Sequence, residues 1–296
     1  MILSQLLDSL SLEQKVGQCL TFSWRGSLIT PAIEETITRL HCGGLRIEPF
    51  TTESARSKYY GKTLRDESFE PPEDYADIAE TYFTAKHPAP WIAPEVYAER
   101  LNQLQALACA RPGGVPLHVC LDNEGSIYND YQCGLNGFPT QMGLAATGDV
   151  EIARQVGQAV ARQLSAVGVT MLHSPVCDVN NNPANPEIRN RAFSDDPETC
   201  AAFAAAYARG LQEGGVVAVA KHFPGRGDSV KDAHVGLEYI DITRERMHAV
   251  ELEPYKRLIA EGVLRAVMSA HSVFPAYEKD DRPSTLSPQV INGLLR

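Results

Sequence analysis

The feature that most constrains the fold is a regular alternation of short apolar runs with longer amphipathic stretches. From residue 94 onward the chain reads helix 94–110, strand 116–122, helix 149–167, strand 169–176, helix 197–213, strand 216–220, helix 243–261, strand 265–271 and helix 287–295. Upstream, SLEQ at Ser11–Gln14 has the pattern of a capping box opening a short helix. A strand-like GQCLTF follows at 17–22, then a helix over 31–40 and a short strand at 43–47. Strands joined by helical crossovers pair in parallel. No glycine-rich phosphate turn follows the first strand, which disfavours a dinucleotide fold. The expected class is α/β, a (β/α)8 TIM-barrel-type architecture with about six of its β/α units present. Residues 1–296 are expected to form one partial barrel domain. An insertion at about 49–93, rich in charge, Tyr and Pro, interrupts it, with one helix expected around 73–85.

The formal net charge is −10, which argues against nucleic-acid partners, since those need a basic face. The N-terminal MILSQLLDSLSLEQKVGQ lacks a basic region and a long apolar run, so it reads as helix and not as a signal peptide. No stretch approaches the ~20 apolar residues of a membrane span. Seven cysteines, at 19, 42, 109, 120, 133, 177 and 200, are scattered without CxxC spacing. Reduced thiols and a cytoplasmic location are the simpler expectation.

Barrel active sites gather at the C-terminal ends of the strands. Here the third strand ends in LDNEG, with Asp122 and Glu124, and the fourth in SPVCDVNNN, with Asp178. The fifth ends in KHFPG, with Lys221 and His222, and the sixth in MSAHS, with His271. Four polar strand ends in register point to a single pocket. The densest is 216–237, where the apolar run Val216–Ala220 gives way to a loop built on Pro224, Gly225 and Gly227. That loop is expected to hold Lys221, His222, Arg226, Asp228, Asp232 and His234.

These residues also carry a resemblance. KHFPGRGDSVKDAH at 221–234 resembles the signature of glycoside hydrolase family 3, in its β-N-acetylhexosaminidase branch. SLEQKVGQ at 11–18, LDNEG at 121–125, GFPTQMGLAATGD at 137–149, SPVCDVNNNPANPEIRNRAFSDDPE at 174–198 and RPSTLSPQVINGLLR at 282–296 extend it. The resemblance implies an exo-acting retaining glycosidase, with a carboxylate nucleophile and a separate acid/base around an oxocarbenium-like transition state. It implies that His234, paired with Asp232, is the acid/base. The chemistry is sound: in an extended segment residues two apart face one side, so the carboxylate can hold an imidazole that protonates the leaving oxygen and later deprotonates water. By the same resemblance Lys221 and His222 hydrogen-bond sugar hydroxyls, Asp122 accepts from hydroxyls across the ring, and Arg191 lies at the base of the sugar pocket. Glu124 and Asp178 take supporting roles. The implied partner is a carbohydrate, a β-N-acetylglucosaminide, and no cofactor or metal is implied.

Three departures stand out. Arg226 occupies the place of a frequent His, Ala233 that of a Ser or Thr, and SIYND follows LDNEG where a basic residue is frequent. The resemblance places the nucleophile, an Asp, downstream of Arg296, so the chain is expected to be the N-terminal part of a longer enzyme and to turn over little by itself. Six units leave open strand edges through which copies could associate. Other readings are a catalytically inactive carbohydrate-binding fragment, a β-glucosidase or glycoside phosphorylase of the same family, and a metal-dependent barrel hydrolase using His222, Asp228, Asp232 and His234. The last is disfavoured by Lys221, whose charge opposes a cation. His118 and His271 read as hydrogen-bonded structural histidines, and Asn180–Asn185 as turn formers bonding local backbone.

Overall fold

The structure, a computed structural model, describes residues 3–49, 92–126, 129–131 and 134–296. Nearly all of the insertion expected at 49–93, with its helix at 73–85, lies outside the described residues. The chain divides into two compact units. Unit 1 comprises Met1–Leu121, Asp130–Asn136 and Gln163–Met171; unit 2 comprises Asp122–Asn129, Gly137–Arg162 and Leu172–Arg296. Among the described residues the first strand pairs with the second, the second with the third and the fifth with the sixth, all in parallel, and strand order follows chain order, so the fold is α/β as the alternation requires. No described helix is long and apolar enough to cross a membrane.

Unit 1 opens with helices α1 (Leu3–Ser9) and α2 (Leu12–Gln18). The capping box is present: Ser11 Oγ accepts from Gln14 N at 3.2 Å, and Gln14 Oε1 accepts from Ser11 N at 2.8 Å. The helix so started runs through Gly17 to Gln18, with Cys19 N–H donating to the Val16 carbonyl. The first strand, β1 (Thr21–Arg25), therefore begins later than the expected 17–22. Helix α3 (Pro31–Thr38) has Pro31 in its first turn, where no N–H is needed. Strand β2 (Gly44–Glu48), helix α4 (Pro94–Cys109) and strand β3 (His118–Leu121) follow. Leu45, Ile47, Val119 and Leu121 are fully buried, as in a parallel sheet covered on both faces. His118 bonds Thr21 Oγ1 at 2.7 Å, the structural role expected of it.

In unit 2, helices α5 (Gln141–Ala145), α6 (Val150–Ala166, which continues into unit 1) and α7 (Pro197–Glu213) precede strand β5 (Val217–Phe223). Asp196 caps α7 by accepting from Thr199 N at 2.8 Å. Helices α6 and α7 touch backbone to backbone: a Cβ on Gly210 would lie 1.9 Å from the Arg154 carbonyl oxygen, and one on Gly157 2.5 Å from that of Tyr207.

The fourth strand departs from expectation. Strand β4 is only Met171–Leu172, not 169–176. Ser174 N–H turns back to the Leu172 carbonyl, and Pro175 has no N–H to give a ladder. Contact with β5 persists as single bonds, Val219 N to Ser174 O, Lys221 N to Pro175 O and Cys177 N to Lys221 O. Strand β5 in turn runs to Phe223, so Lys221 and His222 lie on the strand, not in the loop where their polarity had placed them. Its register with β6 (Ala266–Ser269) shifts between Lys221 and Phe223, an irregularity of the kind that re-aims side chains beside active sites. The helix expected over 243–261 is two, α8 (Arg244–Ala249) and α9 (Glu253–Ala260). Pro254 cannot donate to the Val250 carbonyl, so it starts a new helix. At the end, Ser287 caps α10 (Pro288–Val290), which passes into a π-helical turn, Ile291–Leu295.

Candidate active site

All of the candidate residues lie in unit 2. The loop after β3 supplies Asp122 and Glu124, and β5 supplies Lys221. The Lys221 ammonium sits 2.6 Å from Asp122 Oδ1 and 2.5 Å from Glu124 Oε1. Arg191, on a 3-10 turn Arg189–Arg191, grips Glu124 with two bonds, Nε–Oε2 at 2.6 Å and Nη2–Oε1 at 3.0 Å. Lys221 and Glu124 are buried; Asp122 keeps 29% side-chain exposure, and so remains reachable. Burial pushes the carboxyls of Asp122 and Glu124 up, but the adjacent Lys221 charge, with His173 or Arg191 beside it, outweighs burial and holds both below the usual range. Burial likewise opposes the Lys221 charge, and the two carboxylates overcome it and raise that group.

A second cluster surrounds Asp178, which is fully buried. Its Oδ2 lies 2.6 Å from His222 Nδ1, and its Oδ1 accepts from Arg226 N at 2.7 Å and His222 N at 3.4 Å. A carboxylate acceptor fixes the Nδ1 proton and the ring orientation, leaving Nε2 as the ring atom not committed to Asp178. Burial raises the Asp178 carboxyl, and the imidazole and backbone donors together bring it below its ordinary value.

His234 and Asp232 are together, as the sequence implied, but by a different route. His234 Nδ1 lies 2.7 Å from Asp232 Oδ1, which also accepts from His234 N at 2.9 Å, while Val235 N–H returns to the Asp232 carbonyl. The segment is a tight turn, not an extended strand, and the carboxylate reaches forward as an Asx turn does. The imidazole is 77% exposed. Slight burial raises the Asp232 carboxyl, but the His234 backbone and ring bonds lower it overall.

Asn185 joins two of these segments. Its Oδ1 caps Glu187 N and Ile188 N at 3.0 and 2.9 Å, and its Nδ2 donates to the carbonyls of Arg226 and Gly227 at 2.9 and 3.0 Å. Asn182 likewise reaches the carbonyls of Asp228 and Ser229. These asparagines therefore bond distant as well as local backbone. Gly227 packs so closely here that a Cβ would lie 1.6 Å from the Val179 carbonyl oxygen. Gly227→Ala is expected to displace the 225–234 loop and cost about 1–3 kcal/mol, read as a lowered urea midpoint.

Glu187 and His173 were not singled out by the sequence. Glu187 pairs with both nitrogens of the Arg226 fork, lies 3.3 Å from Arg191 Nη1 and 3.6 Å from His234 Nδ1. His173 Nδ1 lies 3.7 Å from Asp122 Oδ1. The signal for Glu187 was indirect: a buried Arg at 226 needs a carboxylate. His173 stood in plain view near the end of the fourth strand. His271, by contrast, bonds Thr285 Oγ1 at 3.1 Å. Through Arg191, Glu187 and Arg226 the clusters of Lys221, Asp178 and His234 form one continuous polar network.

Glu187, Asp232 and His234 also bring three potential metal-ligand atoms within 4.8 Å of one another. Two guanidiniums already hold Glu187, and their charge opposes a cation. His222, part of the metal-hydrolase reading, is committed to Asp178.

Residues 89–296 match the glycosyl hydrolase family 3 N terminal domain, more than half of the chain. The chain belongs to glycosyl hydrolase family 3. It is similar to the β-hexosaminidase of Stenotrophomonas maltophilia strain R551-3, 34% identical over 61% of this chain and 54% of that protein. It is similar to β-hexosaminidase A of Pseudoalteromonas piscicida, 31% identical over 66% of this chain and 35% of that protein. Among solved structures, a family 3 β-N-acetylglucosaminidase from Paenibacillus sp. str. FPU-7 superposes with a TM-score of 0.79 at 32% identity, covering 97% of this chain and 47% of that one. The chain thus spans about half or less of the length of these relatives.

Three carboxylates of this site contribute to the acidic stability dependence of the chain. Asp122, Glu124 and Asp178 have folded values below their unfolded ones, about 3.9 for Asp and 4.3 for Glu. Their contribution is therefore fully present above about pH 4.3 and is lost as pH falls through the lowered folded values. The urea midpoint should fall steeply below about pH 4 as these carboxylates take up protons.

Proposed function

We infer that this protein is a retaining, exo-acting β-N-acetylhexosaminidase, or the part of one that carries the acid/base. The observation that carries the reading is the 2.7 Å His234–Asp232 pair joined by charged contacts to a buried cluster of Lys221, Glu124 and Arg191. In this reading the His234 imidazolium protonates the leaving oxygen and, as the neutral ring, later takes a proton from water. Asp232 orients the ring. Two of the three Lys221 donors go to Asp122 and Glu124, and the third reaches a sugar hydroxyl. Asp122 accepts from a hydroxyl, His222 presents Nε2, and Arg191 closes the base of the pocket. The nucleophilic carboxylate is assigned to no residue of this chain.

The N-acetylglucosaminide follows from the kinship with named hexosaminidases and with the Paenibacillus enzyme. A cytoplasmic location is consistent with free thiols at Cys42, Cys120, Cys177 and Cys200. The test is hydrolysis of an aryl N-acetyl-β-glucosaminide by the full-length protein containing this chain. Release of the free sugar with retained configuration is expected. Release of a glycosyl phosphate in phosphate buffer would instead favour the phosphorylase reading, and no turnover at full length would favour the binding reading.

A further inference from the structure

Glu187 stands where the polar network branches. Its carboxylate is buried, and it meets three groups from three places in the chain. Oε1 lies 3.2 Å from Arg226 Nη1, 3.3 Å from Arg191 Nη1 and 3.6 Å from His234 Nδ1, while Oε2 accepts from Arg226 Nη2. Its own N–H is held by Asn185. His234 is the opposite case, with 77% of its side chain exposed. Its nearer carboxylate, Asp232, belongs to the same turn and travels with it. Asp232 can therefore orient the ring, but it cannot hold the turn against the rest of unit 2. Glu187 comes from a different segment and is immobilised by two guanidiniums.

We propose that Glu187 is a positioning residue for the exposed turn that carries His234. The attraction across 3.6 Å exists only while the imidazole is protonated, so the proton-donating form of the dyad is the docked form. The charged groups facing His234 are Asp232 and Glu187, with Arg226 and Arg191 paired to Glu187 and Arg226 also acting on Asp232. The guanidiniums share the Glu187 charge, so Arg226 sets how strongly it acts on His234. This gives a function to the departure at 226: Arg226 and Glu187 work as a pair. The proposal rests on His234 being the acid/base.

The test is an NMR titration of the histidine rings in this chain, wild type against Glu187→Gln, Glu187→Asp and Arg226→Gln. The His234 midpoint should fall in Glu187→Gln, return toward wild type in Glu187→Asp, and rise in Arg226→Gln. Opposite signs in the Gln variants mark an electrostatic role, because simple loosening of the turn would move both the same way. His222 and His173 resonances report that the site has stayed folded. If Glu187→Gln leaves the midpoint unmoved while Asp232→Asn lowers it, the proposal is overturned with the dyad intact. Failure of the underlying reading looks different: His234→Ala would leave hydrolysis by the full-length protein unchanged, whatever the titration shows.

Discussion

His234→Ala is expected to slow hydrolysis of an N-acetyl-β-glucosaminide by the full-length protein by about 10²–10⁴-fold, the range for removing a positioned general acid/base. The loss should depend on the leaving group. A nitrophenolate departs with little protonation, so bond cleavage suffers less on an aryl substrate than on an alkyl one. The second step, attack by water, needs the base with either substrate. An anionic nucleophile such as azide needs no proton removed, so it should restore turnover of the aryl substrate by His234→Ala and yield a glycosyl azide of retained configuration. Asp232→Asn should show a smaller loss, because the ring remains but the carboxylate that lies 2.7 Å from its Nδ1 is gone. Equal rates for wild type and His234→Ala on both substrate types would remove His234 from the mechanism.

The largest stability effect is expected at Asp178. It is fully buried and is the acceptor for the His222 ring, the Arg226 N–H and the His222 N–H. Asp178→Ala leaves those donors without their acceptor in a fully buried site. Each buried donor left without its acceptor costs about 1–3 kcal/mol, so the urea midpoint should drop with little change in slope. Asp178→Asn keeps the volume and one acceptor oxygen and should cost less. The Ala variant should also impair binding of N-acetylglucosamine, because the His222 ring loses the partner that orients it. A cost below about 1 kcal/mol for Asp178→Ala would mean that these contacts do not hold the loop.

Much of the fold was legible because its signals are local. Ser11 and Gln14 close a capping box over four residues, and Asp196 and Pro197 start α7 where the pattern says a helix begins. Helix periodicity and apolar runs located the strands β1 to β6 to within a few residues. The misses have physical causes that a local pattern does not carry. Periodicity carries one helix through Pro254, yet its missing N–H splits it in two. Lys221 and His222 looked like loop residues because they are polar, but a polar side chain is tolerated on a buried strand when Glu124, Asp122 and Asp178 wait to receive it.

The sequence by itself determined the parallel α/β class, the family, and the residue types grouped near the strand ends. Each follows from short-range pattern or from ordered motifs. Only the tertiary structure decided which charges pair: that Lys221 sits between Asp122 and Glu124, that Asp178 serves His222, and that Glu187 binds Arg191 and Arg226 beside His234. These partners lie 39 to 99 residues apart along the chain in all but the Arg191–Glu187 pair. The energy of a buried ion depends on the distance and solvent access of its neighbours. Both are set when the loops fold over one another, and neither is written at any single position of the sequence.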